Sequence, residues 1–218
     1  MGEIAIHTGW ERAPEWRGRT HLWAFAASIP AGFGLIIRAD GPARRSAAAI
    51  YVLTLVGTFG TSAAYHRAAR SPRARAVMRR MDHSMIYLLI AGTYVPFCLF
   101  GLPRRWGVPL LAFVAGTAGL GVLWKLFAFD RGQVVQYALY PIIGWAVIVT
   151  VPALPRHLSP AQVALLAGGG IAYTIGSWVL WRRRPDPWPR VFGYHEVFHG
   201  FTIIAAALHF TAVASLVG

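Results

Sequence analysis

The sequence predicts an all-α integral membrane protein: a seven-transmembrane helix bundle with its N-terminus in the cytoplasm and its C-terminus outside. Three observations predict it. Of 218 residues, 56% are hydrophobic and 13% are charged, about half the charged share of an ordinary soluble domain. The apolar residues fall in seven long blocks, and the mean hydropathy is +0.48. The Arg residues sit in short clusters between those blocks, where they would flank membrane spans. Together these exclude a soluble globular enzyme and a secreted disulfide scaffold. A net charge of +13 and a pI near 11.2 would otherwise point to nucleic acid. The placement of the charge argues against it, and no nucleic-acid partner is expected.

A helix needs about 20 mostly apolar residues to cross a bilayer. In order, the blocks are His21–Ile37, Ser46–His66, Asp82–Phe100, Gly107–Lys125, Val134–Val151, Ala161–Trp181 and Tyr194–Val217. What remains is a short cytoplasmic tail, residues 1–19, ahead of one seven-helix transmembrane domain, residues 20–218. The tail carries three Glu residues and no sustained apolar run, so it is not read as a cleavable signal peptide. Pro30, Pro96, Pro109 and Pro141 fall within or near the ends of spans and predict kinks. Gly- and Ala-rich stretches such as Ala112–Gly121 suit close helix packing. Cys98, the single cysteine, lies inside an apolar block, which excludes an intramolecular disulfide or a cysteine-based metal cluster.

Charge sets the orientation. The tail and the loops after spans two, four and six hold 15 of the 21 Lys and Arg residues, chiefly in the runs Arg67–Arg80 and Arg182–Arg190. The positive-inside rule puts that side in the cytoplasm. The same Arg-rich loops predict contact with anionic lipid headgroups.

Ionisable residues inside spans are expensive and usually functional. His66 ends span two, with Ser62 one turn before it; Asp82 opens span three; His195, Glu196 and His199 open span seven. With this topology all of them lie at the cytoplasmic end. His195 and His199, at i and i+4, share one helix face about 6 Å apart along the axis. That spacing suits two imidazoles on one metal, and His66 supplies a third nitrogen. Three protein ligands with an open fourth position is the pattern of a catalytic zinc site. Asp82 would orient a ligand or a water molecule, and Ser62 would support from behind. Taken singly, His66 beside Arg67 also reads as a helix-end residue, and Asp82 as an N-terminal residue favoured by the helix dipole. His209 lies about 15 Å deeper than His199 and reads as a hydrogen-bonded core histidine.

His195-Glu196-Val197-Phe198-His199 also matches H-E-x-x-H, the metalloprotease pattern with Glu as general base. The longer metzincin pattern fails, because Thr202 and Ala205 stand where Gly and His are required. A protease is not the favoured reading.

Several segments resemble the bacterial hemolysin III family, prokaryotic members of the progestin and adipoQ receptor superfamily that includes the adiponectin receptors. They are Thr61-Ser62-Ala63-Ala64-Tyr65-His66, Met81-Asp82-His83-Ser84, Ile90 to Phe97, Gly169 to Gly176, and the stretch from His195 to Phe210. The resemblance runs from about residue 20 to the end. It implies a seven-helix bundle with a cytoplasmic N-terminus in a bacterial plasma (inner) membrane. It also implies a Zn2+ ion held by His66, His195 and His199, with Ser62 and Asp82 beside it. Adiponectin receptors carry Gln where this chain has Glu196. A Glu there reads either as a base or as an outward-facing residue; it points about 100° away from His195, which favours the second.

Three functions follow as expectations. The first is a zinc-dependent hydrolase of a lipid amide or ester, ceramidase-like, with Asp82 and Ser62 as catalytic residues and a lipid substrate in the bundle core. The second is a non-enzymatic sensor, receptor-like or lipid-homeostasis protein with a structural zinc joining spans two and seven. The third, and least favoured, is a haemolytic or channel-forming protein, since no amphipathic insertion segment or ring of pore-lining charges is evident. The sequence carries no signal for oligomeric state.

Overall fold

The computed structural model describes residues 13–152 and 154–218. Most of the expected tail, including Arg12, lies outside the described residues. The rest is helical: α1 Arg19–Arg38, α2 Gly41–Ala68, α3 Pro72–Phe100, α4 Arg104–Phe127, α5 Gln133–Gly144, the single turn α6 Leu154–His157, α7 Pro160–Arg182 and α8 Tyr194–Val217. A 3-10 segment, Ala146–Thr150, follows α5. Six of the helices (α1 to α4, α7 and α8) are long and apolar enough to cross a membrane.

The helix ends follow local chemistry. Ser71 caps α3, its side chain accepting from the Ala74 N–H at 3.1 Å, and Pro72 follows at the first helical position. Helix α3 therefore begins ten residues before the apolar block that opens at Asp82, and the Arg-rich stretch 73–80 is helix rather than loop. Ser159 and Gln162 form a reciprocal capping box at the start of α7.

The fifth block departs from expectation. It is not one continuous helix: α5 stops at Gly144 and a 3-10 segment carries on. The cause lies in α3. The Tyr94 hydroxyl donates to the Gly144 carbonyl at 2.9 Å and accepts from the Val147 N–H at 2.9 Å. A side chain inserted into the backbone ladder in this way breaks a helix while satisfying the groups it frees.

Sequence neighbours pack side by side, and α8 also touches α1, α2 and α3. The interior around Tyr51, Leu55, Phe59, Tyr94, Phe97 and Val213 is close-packed. Gly92 of α3 lies so close to Thr54 of α2 that a Cβ there would collide with it. The outer surface is apolar: Phe33, Leu53, Leu120 and Trp181 are each at least 66% exposed. Meanwhile His21, Ser62, His66, Glu196 and His199 are buried. This arrangement suits a bilayer as solvent, and the protein is a multi-pass membrane protein.

Candidate metal centre

Two helices deliver the three histidines. His66 comes from the last turn of α2, and His195 and His199 from the first two turns of α8. Their ligand-capable atoms all lie within 4.8 Å of one another. His66 Nε2 and His195 Nε2 are 3.3 Å apart. That is long for a hydrogen bond. It equals the ~3.3 Å edge of a tetrahedron built with zinc–nitrogen bonds of about 2.05 Å. In donor type, number and separation the three residues fit a metal ion of the zinc kind. The ring centroids are 4.5 Å apart for His195 and His199, and 5.2 Å for His66 and His199.

Asp82 is not among these ligand-capable atoms. It enters from α3 near the Ser62 side chain, with its Oδ2 3.9 Å from His83 Nδ1. Ser62 is buried and its Oγ lies 2.8 Å from Nδ1 of His21. The structure thus brings Asp82 and Ser62 to the edge of the histidine cluster. His83 turns the other way, its Nδ1 on the Arg79 carbonyl at 2.9 Å. His209 stands apart, as expected, with Nε2 3.1 Å from the Leu166 carbonyl.

Glu196 overturns its sequence reading. It is not outward-facing but fully buried. Its Oε1 accepts from Arg17 Nε at 2.6 Å, and its Oε2 accepts from the Gly193 N–H at 2.9 Å. The 100° rotation from His195 turns it not toward lipid but toward the segment preceding α1. That segment crosses the end of the bundle. Glu15 and Trp16 donate backbone hydrogen bonds to the carbonyls of Arg190 and Val191, each at 3.1 Å. Trp16 packs edge-on against Trp23 and Phe192. Gly18, with φ at +75°, lies so close to His66 that a Cβ would stand 2.6 Å from the His66 Cβ. Only glycine combines that backbone angle with that approach.

Two site residues escaped the sequence reading, Arg17 and His21. His21 is 3% exposed, and its ring stacks on His199 with centroids 3.7 Å apart and planes 12° from parallel. Only part of the signal for it was available. His21 opens span one at the same end of the membrane as His66, Asp82 and His195.

A family profile described as Haemolysin-III related matches residues 11–210. The chain belongs to this family. It is 33% identical over 198 residues to "Hemolysin-3" of Bacillus cereus, covering 89% of this chain and 87% of that protein. It is 34% identical over 142 residues to "Hemolysin-3 homolog" of Bacillus subtilis (strain 168), covering 65% of this chain and 63% of that one. More remotely, it is 23% identical over 180 residues to "Progestin and adipoQ receptor-like protein 1" of Caenorhabditis elegans, covering 72% of this chain and 40% of the nematode protein. All three histidines, with Ser62 and Asp82, fall inside the span matched by the haemolysin-III profile.

Proposed function

We propose that this chain is a seven-span protein of a bacterial plasma membrane, N-terminus inside, that binds zinc at His66, His195 and His199 and hydrolyses a lipid amide or ester. The fifth span is α5 with its 3-10 continuation. Twelve α-helical and five 3-10 residues extend about 28 Å, close to the hydrocarbon thickness. The observation that carries the hydrolytic reading is the convergence of three imidazoles, with the Ser62 hydroxyl reaching them through His21 and the Asp82 carboxyl near that hydroxyl, inside an otherwise apolar bundle.

When bound, zinc supplies a Lewis acid toward a substrate carbonyl and toward water. The chain's own groups do the rest. His66, His195 and His199 would hold the ion. A carboxylate oxygen of Asp82 orients water and takes its proton. Ser62 positions that carboxylate from behind. The Arg17–Glu196 pair fixes the segment over the cytoplasmic end and limits bulk water. The lipid-facing exterior brings acyl substrates to the bundle by partition.

Asp82→Asn tests this. The variant is expected to retain one zinc per chain and to lose at least about 100-fold in turnover of lipid amides or esters. Turnover at the wild-type rate would remove Asp82 as the base. The competing reading is a structural metal in a non-enzymatic sensor or lipid-homeostasis protein. It is favoured by the depth of burial of His66 and His199 and by the way the cluster ties α2 to α8. On that reading no lipid panel shows metal-dependent turnover. The name of the Bacillus cereus relative suggests a third activity, haemolysis. It predicts lysis or ion flux that survives His66→Ala.

A further inference from the structure

We propose that His21 is a positioning residue of the candidate metal centre: its ring, pinned by Ser62, holds His199 in the orientation at which the three imidazoles converge. The inference rests on the metal-binding reading above and adds α1 to the two helices that carry the three histidines.

A metal-binding imidazole is usually oriented by a hydrogen bond from its second nitrogen to a carboxylate, a backbone carbonyl or water. His199 is 2% exposed, and its Nδ1 has no hydrogen-bond partner among the described residues. Among the described residues it is the face of His21 that packs against this ring and limits how it turns. The two rings are near-parallel at 3.7 Å, the closest ring pair in the cluster. His21 is itself held on two sides. Its Nδ1 lies 2.8 Å from Ser62 Oγ, and the Phe59 ring meets it edge-on with centroids 5.2 Å apart. Burial at 3% leaves it no other place to go. Ser62 thereby gains a second task, fixing the ring on which His199 rests.

The test is a titration of detergent-purified, metal-stripped full-length protein with Co2+, followed by its visible absorption, then by competition with Zn2+. Wild type is compared with three variants. His21→Ala removes the ring. His21→Phe keeps a flat face over His199 without the bond to Ser62. His21→Asn keeps an N–H for Ser62 without the face. The expected result is a Co2+ affinity about 10- to 100-fold weaker in His21→Ala, with an altered absorption band. His21→Phe should recover most of the affinity and the wild-type band, and His21→Asn should not. If His21→Ala does not fold, the Phe and Asn variants decide between them. Wild-type affinity and spectrum in all three variants would overturn the role of His21 and leave the metal reading intact. Recovery by Asn but not Phe would overturn the stacking role. A wild-type protein that takes up neither Co2+ nor Zn2+ would overturn the metal reading, and this proposal with it.

Discussion

At the scale of single residues, Glu196 and Arg17 make an unequal pair. Glu196 is fully buried and Arg17 is 23% exposed. Removing the cation strands a carboxylate in the interior, while removing the anion leaves an arginine that can turn to lipid headgroups. Arg17→Ala is therefore expected to destabilise by about 2–3 kcal/mol, below the ~3–5 kcal/mol of a wholly buried pair. Glu196→Gln keeps an acceptor for the Gly193 N–H and should cost under about 1 kcal/mol. Thermal unfolding of the two variants in detergent checks the order, and the reverse order would refute it. His66, Asp82, His195 and His199 were legible in the sequence because each breaks an apolar block at the same membrane depth. His21 opens span one at that same end, but no motif in the sequence pairs it with another ligand-type residue. Only tertiary contact distinguishes it, since its partners Ser62 and His199 are 41 and 178 positions away. Glu196 misled for a related reason. Rotation about a helix tells where a side chain points, not what lies there.

At the scale of elements, the apolar blocks announced every long helix, because some twenty apolar residues in succession have little other use. Two features were hidden. The Arg-rich start of α3 is helical because Ser71 and Pro72 begin it and its polar residues lie beyond the apolar core, where hydropathy is silent. The break after α5 is invisible locally, since Tyr94 causes it from fifty residues away. Tyr94→Phe removes the one oxygen that serves both Gly144 and Val147. Two unmet backbone groups in an apolar setting should lower stability by about 2–4 kcal/mol. Hydrogen exchange should also quicken at the Val147 amide. Unchanged exchange over residues 144–150 would mean that the break does not depend on the hydroxyl.

At the scale of the whole molecule, the cluster joins the end of α2 to the start of α8 across 129 positions of sequence. An ion bound only by the folded state stabilises it by mass action. Chelation is expected to lower the melting temperature of wild type and to leave His66→Ala unchanged. Equal shifts in both would place the metal elsewhere. The bias of Arg toward one side predicts the orientation, with the C-terminus outside. Reporter fusions at residue 218, active only on one side of the membrane, check it. Cys98 is buried, so cysteines introduced into loops on a Cys98→Ala background give an independent map by accessibility.

If the interrupted fifth block crosses the bilayer as proposed, it also bears on how the protein is made. A segment entering the bilayer alone can satisfy its backbone only as an unbroken α-helix. The bonds that allow the interruption belong to Tyr94, on a helix synthesised about fifty residues earlier. The ribosome has therefore already delivered the partner when the fifth span emerges. On the seven-span reading, that segment would cross as a continuous helix and take up the broken form against a neighbour already in place. Its final shape would then depend on α3 and be reached only after insertion.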